Sequence, residues 1–247
     1  MDEALSISYI NTILSIFKNI LKFAKQYGYL TTSIPIFQLP KQRKTPSDIF
    51  SLSEWACLNN YLLTQNDNFS FGIFLCMYTG IRIGELCGLR WEDFDSKSGQ
   101  LMIKRTVYRI KNMAYTSDNS LPKTIVSIAS PKTPSSIREM PLPAFLCRKM
   151  QQYSSDPLHY ILTVTTKCME PRIVQKKYKN ILKKCEIRYL NFHSLRHSFA
   201  SIGISKGFNC KTLSEILGHS SVNITLNTYV HSSIEQRRQC MELLVMK

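Results

Sequence analysis

The chain has 247 residues, 44% apolar and 20% charged, which is enough apolar material for one sizeable core and excludes a mainly disordered polymer. Thirty-two Lys and Arg oppose 17 Asp and Glu, a formal net charge of +15, and such a surplus attracts polyanions, nucleic acid first and an anionic membrane surface second. The longest apolar run, Phe71 to Tyr78, is too short to span a bilayer, and the acidic start MDEALSISYI lacks the basic opening of an export signal. A cytoplasmic protein without membrane contact is expected. Eight cysteines lie at 57, 76, 87, 147, 168, 185, 210 and 240 with no CxxC pair, so they read as reduced, mostly buried small hydrophobes.

Taken in chain order, Ile10, Ile13, Leu14, Phe17, Leu21 and Ala24 recur at helical steps, and Gly28 follows as a stop. One amphipathic helix cannot bury its own stripe, so residues 1–40 read as part of a helical unit. Residues 41–50 then read as a linker, where Pro40 and Pro46 bracket Lys41, Arg43 and Lys44 in an extended basic segment suited to a phosphate backbone. As a solvated surface loop the same cations would have no partner.

The second unit, residues 51–247, opens on Ser51-x-x-Glu54, the pattern of a helix capping box. A second helix runs through FGIFLCMY to a stop at Gly80, and a short one covers 82–89. WEDFDSKSGQ supplies turn residues. The β-branched stretches between 101 and 142 predict one small antiparallel sheet of hairpins, and the pattern is helical from about 144 onwards. The fold class is therefore α+β, mostly α, with a small antiparallel sheet.

Four segments carry chemistry: Thr79-Gly80-Ile81-Arg82-Ile83-Gly84-Glu85-Leu86, Pro131-Lys132-Thr133, His193-Ser194-Leu195-Arg196-His197, and Leu217-Gly218-His219 with Tyr229. Each is ordinary alone. Arg82 suits an ion pair on a helix surface, Lys132 a solvated turn, and Tyr229 simple packing. His193 and His197 have zinc-helix spacing, but the metalloprotease pattern needs Glu after the first His and residue 194 is Ser, so no metal is expected.

In this order the segments resemble the tyrosine recombinase family, the integrases of phages and conjugative transposons. His219 follows Arg196 by 23 residues and Tyr229 follows His219 by 10, spacings similar to the family's. The resemblance implies a DNA breaking-rejoining catalytic domain over 51–247, preceded over 1–40 by a partial, SAM-like core-binding segment that matches only the last helices of that domain. It also implies a site-specific recombinase for integration or excision of a mobile element, working through a covalent 3′-phosphotyrosine without cofactor, metal or ATP.

The roles implied by the resemblance make chemical sense. Arg82 and Arg196 would neutralise charge on the non-bridging phosphate oxygens, where fixed, permanently charged donors are most useful. Lys132 would protonate the leaving 5′ oxygen. Its ordinary pKa of about 10.4 must then fall, and positive neighbours would lower it. His193 would accept the proton of Tyr229, His219 would donate to the phosphate, and Tyr229 would attack phosphorus. Glu85 would orient its neighbours, or else be a helix-surface carboxylate, and His197 and His231 read as structural.

Lys41, Arg43, Lys44, Lys104, Arg105, Lys176 and Lys177 are candidate DNA contacts, as are Arg109, Lys111, Arg172, Lys183 and Lys184, all in a positioning role. Residues 235–246 form an amphipathic tail that would dock on a neighbouring subunit in a synaptic homo-tetramer, or pack on its own domain. Directionality or DNA-bending proteins are expected accessories. With only part of the core-binding domain, weak and salt-sensitive DNA binding is expected. Type IB topoisomerase-like relaxation and a catalytically impaired DNA-binding remnant are the rival functions.

Overall fold

The computed structural model describes residues 5–35, 40, 48–116, 120–130, 137–229 and 238. The chain divides into two compact units, Met1–Pro46 and Ser47–Lys247. Lys41, Arg43, Lys44, Lys132, His231 and the tail at 239–247 lie outside the described residues, as does 235–237.

The first unit holds one helix, α1 (Ile7–Gln26). Ser6 caps it, its hydroxyl accepting from the Tyr9 N–H at 3.2 Å, and Gly28 takes the left-handed φ of 76° just past its end. None of its residues is buried; Ile13 and Phe17 of the predicted stripe are exposed, while Ile10, Leu14, Leu21 and Ala24 are half-covered.

The second unit is built around α3 (Asn68–Thr79). A helix apolar on every side can only be interior, and every residue from Phe69 to Met77 is buried. Two flanking helices pack on it, α2 (Leu52–Thr64) and α7 (His193–Ser205). The predicted capping box starts α2: the Glu54 N–H donates to the Ser51 hydroxyl at 3.1 Å and the Ser51 N–H to the Glu54 carboxylate at 2.8 Å. Phe71 stacks on Tyr153, with ring centroids 4.6 Å apart.

The expectation of one sheet needs correction. The strands form two. β1 (Phe94–Asp95), β2 (Gln100–Ile103) and β5 (Arg138–Pro141) make a three-stranded antiparallel sheet in the order β1-β2-β5, whereas β3 (Thr106–Lys111) pairs only with β4 (Thr124–Ala129). The stretch read as turn residues contributes β1 and a 3-10 turn over Trp91–Asp93. Between β2 and β3 in the chain lie Lys104 and Arg105, whose side chains pair with Asp93.

The remaining helices are α4 (Ile83–Gly88), α5 (Ala144–Gln152), α6 (Pro171–Lys184), α8 (Cys210–Leu217) and α9 (Val222–Tyr229). Of the seven described cysteines, Cys76 and Cys87 are buried, Cys57 is exposed and four are half-buried, so burial is less general than expected. No helix among the described residues is long and apolar enough to cross a membrane.

Gly80 ends α3 at φ 64°, and a Cβ there would meet Phe199 at 2.6 Å and Leu217 at 2.8 Å. Left-handed strain and overpacking act together at this position. Gly80→Ala is predicted to lower unfolding free energy by about 2–4 kcal/mol, measured as a fall in the urea midpoint at unchanged slope.

Candidate active site

Four separate segments of the catalytic unit supply the site, and each is placed by a local feature. Arg82 caps the N-terminus of α4, its backbone N–H donating to the Glu85 carboxylate at 2.9 Å. His193, Arg196 and His197 occupy the first two turns of α7, three and four residues apart, so they share one face. Gly218, at φ 64°, ends α8 and turns the chain toward His219. Tyr229 is the last residue of α9.

The end of α8 gathers three guanidinium groups. Arg138 donates to the Ile216 carbonyl at 2.6 Å, Arg196 to the Leu217 carbonyl at 2.7 Å and Arg82 to the Gly218 carbonyl at 3.0 Å. These are carbonyls that a helix end leaves without intrahelical partners, and they carry the negative end of its dipole. Arg196, only 2% exposed, also donates to the Gly80 carbonyl at 2.9 Å.

Glu85 ties the cluster from the other side. Its carboxylate accepts from Arg82 at 2.8 Å and from both terminal nitrogens of Arg138 at 3.1 and 3.0 Å. At 3% exposure it is no helix-surface carboxylate but orients two arginines. Burial alone would raise its pKa; hydrogen bonds and charge from Arg138, with those of Arg82, outweigh this and hold it below the usual value.

A cleft of about 340 Å³ opens beside these groups, lined by Arg82, His193 and Arg196 together with Thr106, Gln175 and Asn191. Burial, then the field of Arg82, pushes the Arg196 pKa down to about 9, which still leaves it cationic at neutral pH. Two cations at a cleft wall make it suited to a phosphate diester.

The histidines are kept neutral. Burial first, then His197, Arg196 and Arg82, pushes the His193 pKa down to about 4; burial and the arginines do the same to His219, also to about 4. His219 Nδ1 lies 2.8 Å from the buried Thr225 hydroxyl, and its ring is parallel to that of Tyr229 with centroids 6.5 Å apart. If Nδ1 accepts from Thr225, Nε2 carries the proton and is a donor.

Tyr229 departs from expectation in its partner. Its hydroxyl is 2.6 Å from His197 Nδ1, one helical turn beyond His193. His193 instead meets the His197 ring edge-on, with centroids 4.5 Å apart. His197, read as structural from the sequence, is the hydrogen-bond partner of Tyr229 in the structure. The structure brings together Arg82, His193, Arg196, His219 and Tyr229, while Lys132 lies outside the described residues.

Arg138 and Thr225 were missed in the sequence, along with the partnership of His197. Arg138 had a signal: in the strand REMP the buried residues alternate, and Arg138 shares the inward face with Met140. A cation at a core-facing strand position needs a buried anion.

The candidate DNA contacts fall into two groups. Arg105 pairs with Asp93 at 2.5 Å and Glu92 at 3.1 Å, Lys104 with Asp93 at 3.0 Å, and Arg109 with Glu170 at 2.6 Å. Lys176, Lys177, Arg172, Lys183 and Lys184 are exposed on α6, opposite its buried face of Val174, Tyr178, Ile181 and Leu182. Lys177 lies over the Phe69 ring at 5.1 Å, and Lys111 is exposed at the end of β3. Among the described residues, no group of three or more His, Cys, Asp or Glu is placed to hold a metal ion.

Two predictions follow from this chemistry of burial. A histidine whose folded pKa is depressed stabilises the fold above its unfolded pKa of about 6.5, and that stability is lost as pH falls toward the folded value. With His193 and His219 both near 4, the unfolding midpoint should fall between pH 6.5 and 4, and His193→Asn/His219→Asn should flatten that slope. Glu85→Gln leaves two arginines facing a neutral amide and should cost about 3 kcal/mol in urea unfolding at pH 7.

Comparison with known proteins agrees with the geometry. The phage integrase family matches residues 58–236. A tyrosine recombinase XerC-like protein of Caldanaerobacter subterraneus subsp. tengcongensis is 29% identical over 263 residues, covering 97% of this chain and 65% of the relative. The integrase of Staphylococcus phage L54a is 27% identical over 254 residues, covering 92% of this chain and 71% of the relative. The chain spans less than two thirds of the XerC-like relative, and 63% of the XerC of Thermodesulfovibrio yellowstonii. Among solved structures, the Tn1549 transposon integrase in complex with a circular intermediate DNA superposes with a TM-score of 0.77 at 21% identity, covering 99% of this chain and 81% of that one. That likeness shows the fold, and the family match spans well over half of the sequence: the chain belongs to the phage integrase family.

Proposed function

We propose that this chain is a site-specific DNA recombinase that cleaves and rejoins duplex DNA through a covalent 3′-phosphotyrosine at Tyr229. The observation that carries this is the gathering of Arg82, His193 and Arg196 at one cleft, with His219 parallel to the Tyr229 ring and the charges of Arg196 and Arg82 felt at the phenol. Its context supports the same reading: the solved relatives with this fold include integrases bound to DNA, and the chain's net charge is +15.

In the proposed reaction the scissile phosphate enters the cleft beside Arg82 and Arg196. Their donors are held by backbone carbonyls and by Glu85, so little reorganisation accompanies charge build-up on phosphorus. Tyr229 must lose its proton to attack, and His193 is the acceptor that the family resemblance implies. Burial raises its pKa, and the opposing fields of Arg196 and Arg82 do not cancel that rise, so the hydroxyl is protonated at rest. His219 donates to a phosphate oxygen through Nε2. Lys132 protonates the departing 5′ oxygen. The phosphotyrosine diester retains the energy of the broken linkage, so a 5′ hydroxyl from another strand can reverse the step.

The DNA partner is double-stranded, and exchange between duplexes calls for several copies. A synaptic homo-tetramer formed through the tail at 235–246 fits that need, with directionality or bending proteins as accessories and the nucleoid as the site of action. The exposed cations of α6 are the phosphate contacts that the described residues offer most openly.

A nicked suicide duplex tests the proposal. A pool with a randomised core is incubated with the chain, and covalent protein–DNA adduct is read on a denaturing gel. Adduct is expected from the parent chain and none from Tyr229→Phe. Arg82→Ala should lower the adduct-forming rate about 10²–10³-fold. Adduct surviving Tyr229→Phe would falsify the assignment of the nucleophile.

A further inference from the structure

We propose that α1 is a self-association surface: two copies of this chain pair through its exposed apolar face, antiparallel and about a two-fold axis. The apolar positions of α1 fall into two rows at heptad spacing. Ile7, Ile10, Leu14, Phe17, Leu21 and Ala24 form one, and Tyr9, Ile13, Ile16, Ile20, Phe23 and Tyr27 form the other, which runs just past the helix end. The fold treats the two rows differently. In the first, Ile10, Leu14, Leu21 and Ala24 are half-covered, as are Leu30 and Ile34 of the chain that follows, and Asn11 on that side donates to the Pro40 carbonyl at 3.1 Å. In the second, every residue is between 44% and 60% exposed.

A row of large apolar side chains in water is a patch that calls for a partner. Periodicity by itself names no occupant, but the symmetry of this row does. Its steps are 4-3-4-3-4, the same read from either end, with tyrosine at both ends and isoleucine in the middle. Turned end for end, the row meets itself with Tyr9 against Tyr27, Ile13 against Phe23 and Ile16 against Ile20. Each of these pairs then occurs twice, which is the self-complementarity that a two-fold interface requires. Phe23 and Tyr27 already touch, with ring centroids 4.4 Å apart, and form one aromatic end for the other copy's Tyr9 and Ile13 to cover. Antiparallel packing also sets opposite ends of the two helix dipoles together.

Charge and area agree with a second copy as the occupant. α1 carries Lys18, Lys22 and Lys25 and no acid. All three lie at least about 100° around the helix from the exposed row. On its polar side the row is bordered by Thr12, Asn19 and Gln26, which are uncharged. Two chains of net charge +15 can therefore meet here without placing like charges in contact. At the exposures above, the row would bury about 600 Å² from each copy, or about 1,200 Å² for the pair, the low end of stable interfaces. The pairing goes beyond the recombinase reading and does not depend on it.

Sedimentation equilibrium of the full chain between about 1 and 100 µM tests the surface. The parent is expected to be a dimer. Ile16→Lys/Ile20→Lys sets ammonium groups from both copies in the middle of the pair and should raise the dissociation constant at least about 100-fold. Both side chains are exposed in the single chain, so the helix content of the dilute protein should not change. Ile16→Glu/Ile20→Lys tests direction. Antiparallel helices set each new carboxylate against an ammonium group of the other copy, and the dissociation constant should stay within about tenfold of the parent's, whereas parallel helices set like against like. Lys18→Glu, on the far face, should leave it within about twofold.

A parent chain that is monomeric at about 100 µM would overturn the proposal. So would a dimer whose dissociation constant Ile16→Lys/Ile20→Lys leaves unchanged, since the contact would then lie elsewhere, or an oligomer larger than two that this variant takes straight to monomer. Ile16→Glu/Ile20→Lys associating as weakly as the double-lysine variant would overturn the antiparallel arrangement. Vesicles of anionic phospholipid added to the parent should leave the dimer intact; capture of single chains by them, lost in the double-lysine variant, would give the row to a membrane surface instead.

Discussion

The site depends on one helix end. α8 stops at Gly218, and the three carbonyls it leaves exposed at 216, 217 and 218 are taken by Arg138, Arg196 and Arg82. Three like charges would repel one another strongly in a buried setting. They coexist because the helix dipole presents its negative end to them and because Glu85 lies between two of them. The cluster still carries more positive than negative charge, so its electrostatics are completed by an anion from outside. A phosphate diester has the charge and the paired oxygens for that place.

Around this cationic centre, burial sets the protonation of everything else. It opposes charge on His193, His197 and His219 and opposes loss of the proton from Tyr229. The resting site is thus a set of fixed guanidiniums surrounded by neutral donors and acceptors. In the proposed reaction, a phosphate diester entering the cleft would supply the negative potential that such a site lacks at rest.

Much of this was legible in the residues alone. The capping box at Ser51 and Glu54, the stop at Gly80 and the short helix at 82–89 all depend on local backbone chemistry, and local signals fixed them. The spacing of Arg82, Arg196, His219 and Tyr229 named the family because a constellation spread over many residues tolerates few alternatives. What escaped was long-range. The partition of five strands into two sheets rests on which strands pair across the chain, β2 with β5 and β3 with β4, and no window of periodicity contains that. The bond from His197 to Tyr229 joins α7 to α9 across 32 positions. Arg138 was readable by alternation, yet its partner Glu85 is 53 residues away. For α1 the period was right, but period does not say what covers the stripe.

The manner in which Arg196 is anchored has a bearing on how such a protein can drift. Both of its hydrogen-bond acceptors among the described residues are main-chain oxygens, at Gly80 and Leu217. Replacing a side chain cannot delete a peptide carbonyl, so point changes at those two places threaten the anchor only by bending the chain. Leu217, fully buried beside Ala200 and Leu213, is held to an apolar side chain of its own size by packing rather than by the hydrogen bond, and Gly80 is held by its left-handed turn, which admits few other residues. Selection on this guanidinium should thus be felt at Gly80 and Leu217 as a demand on backbone shape rather than on any polar side chain.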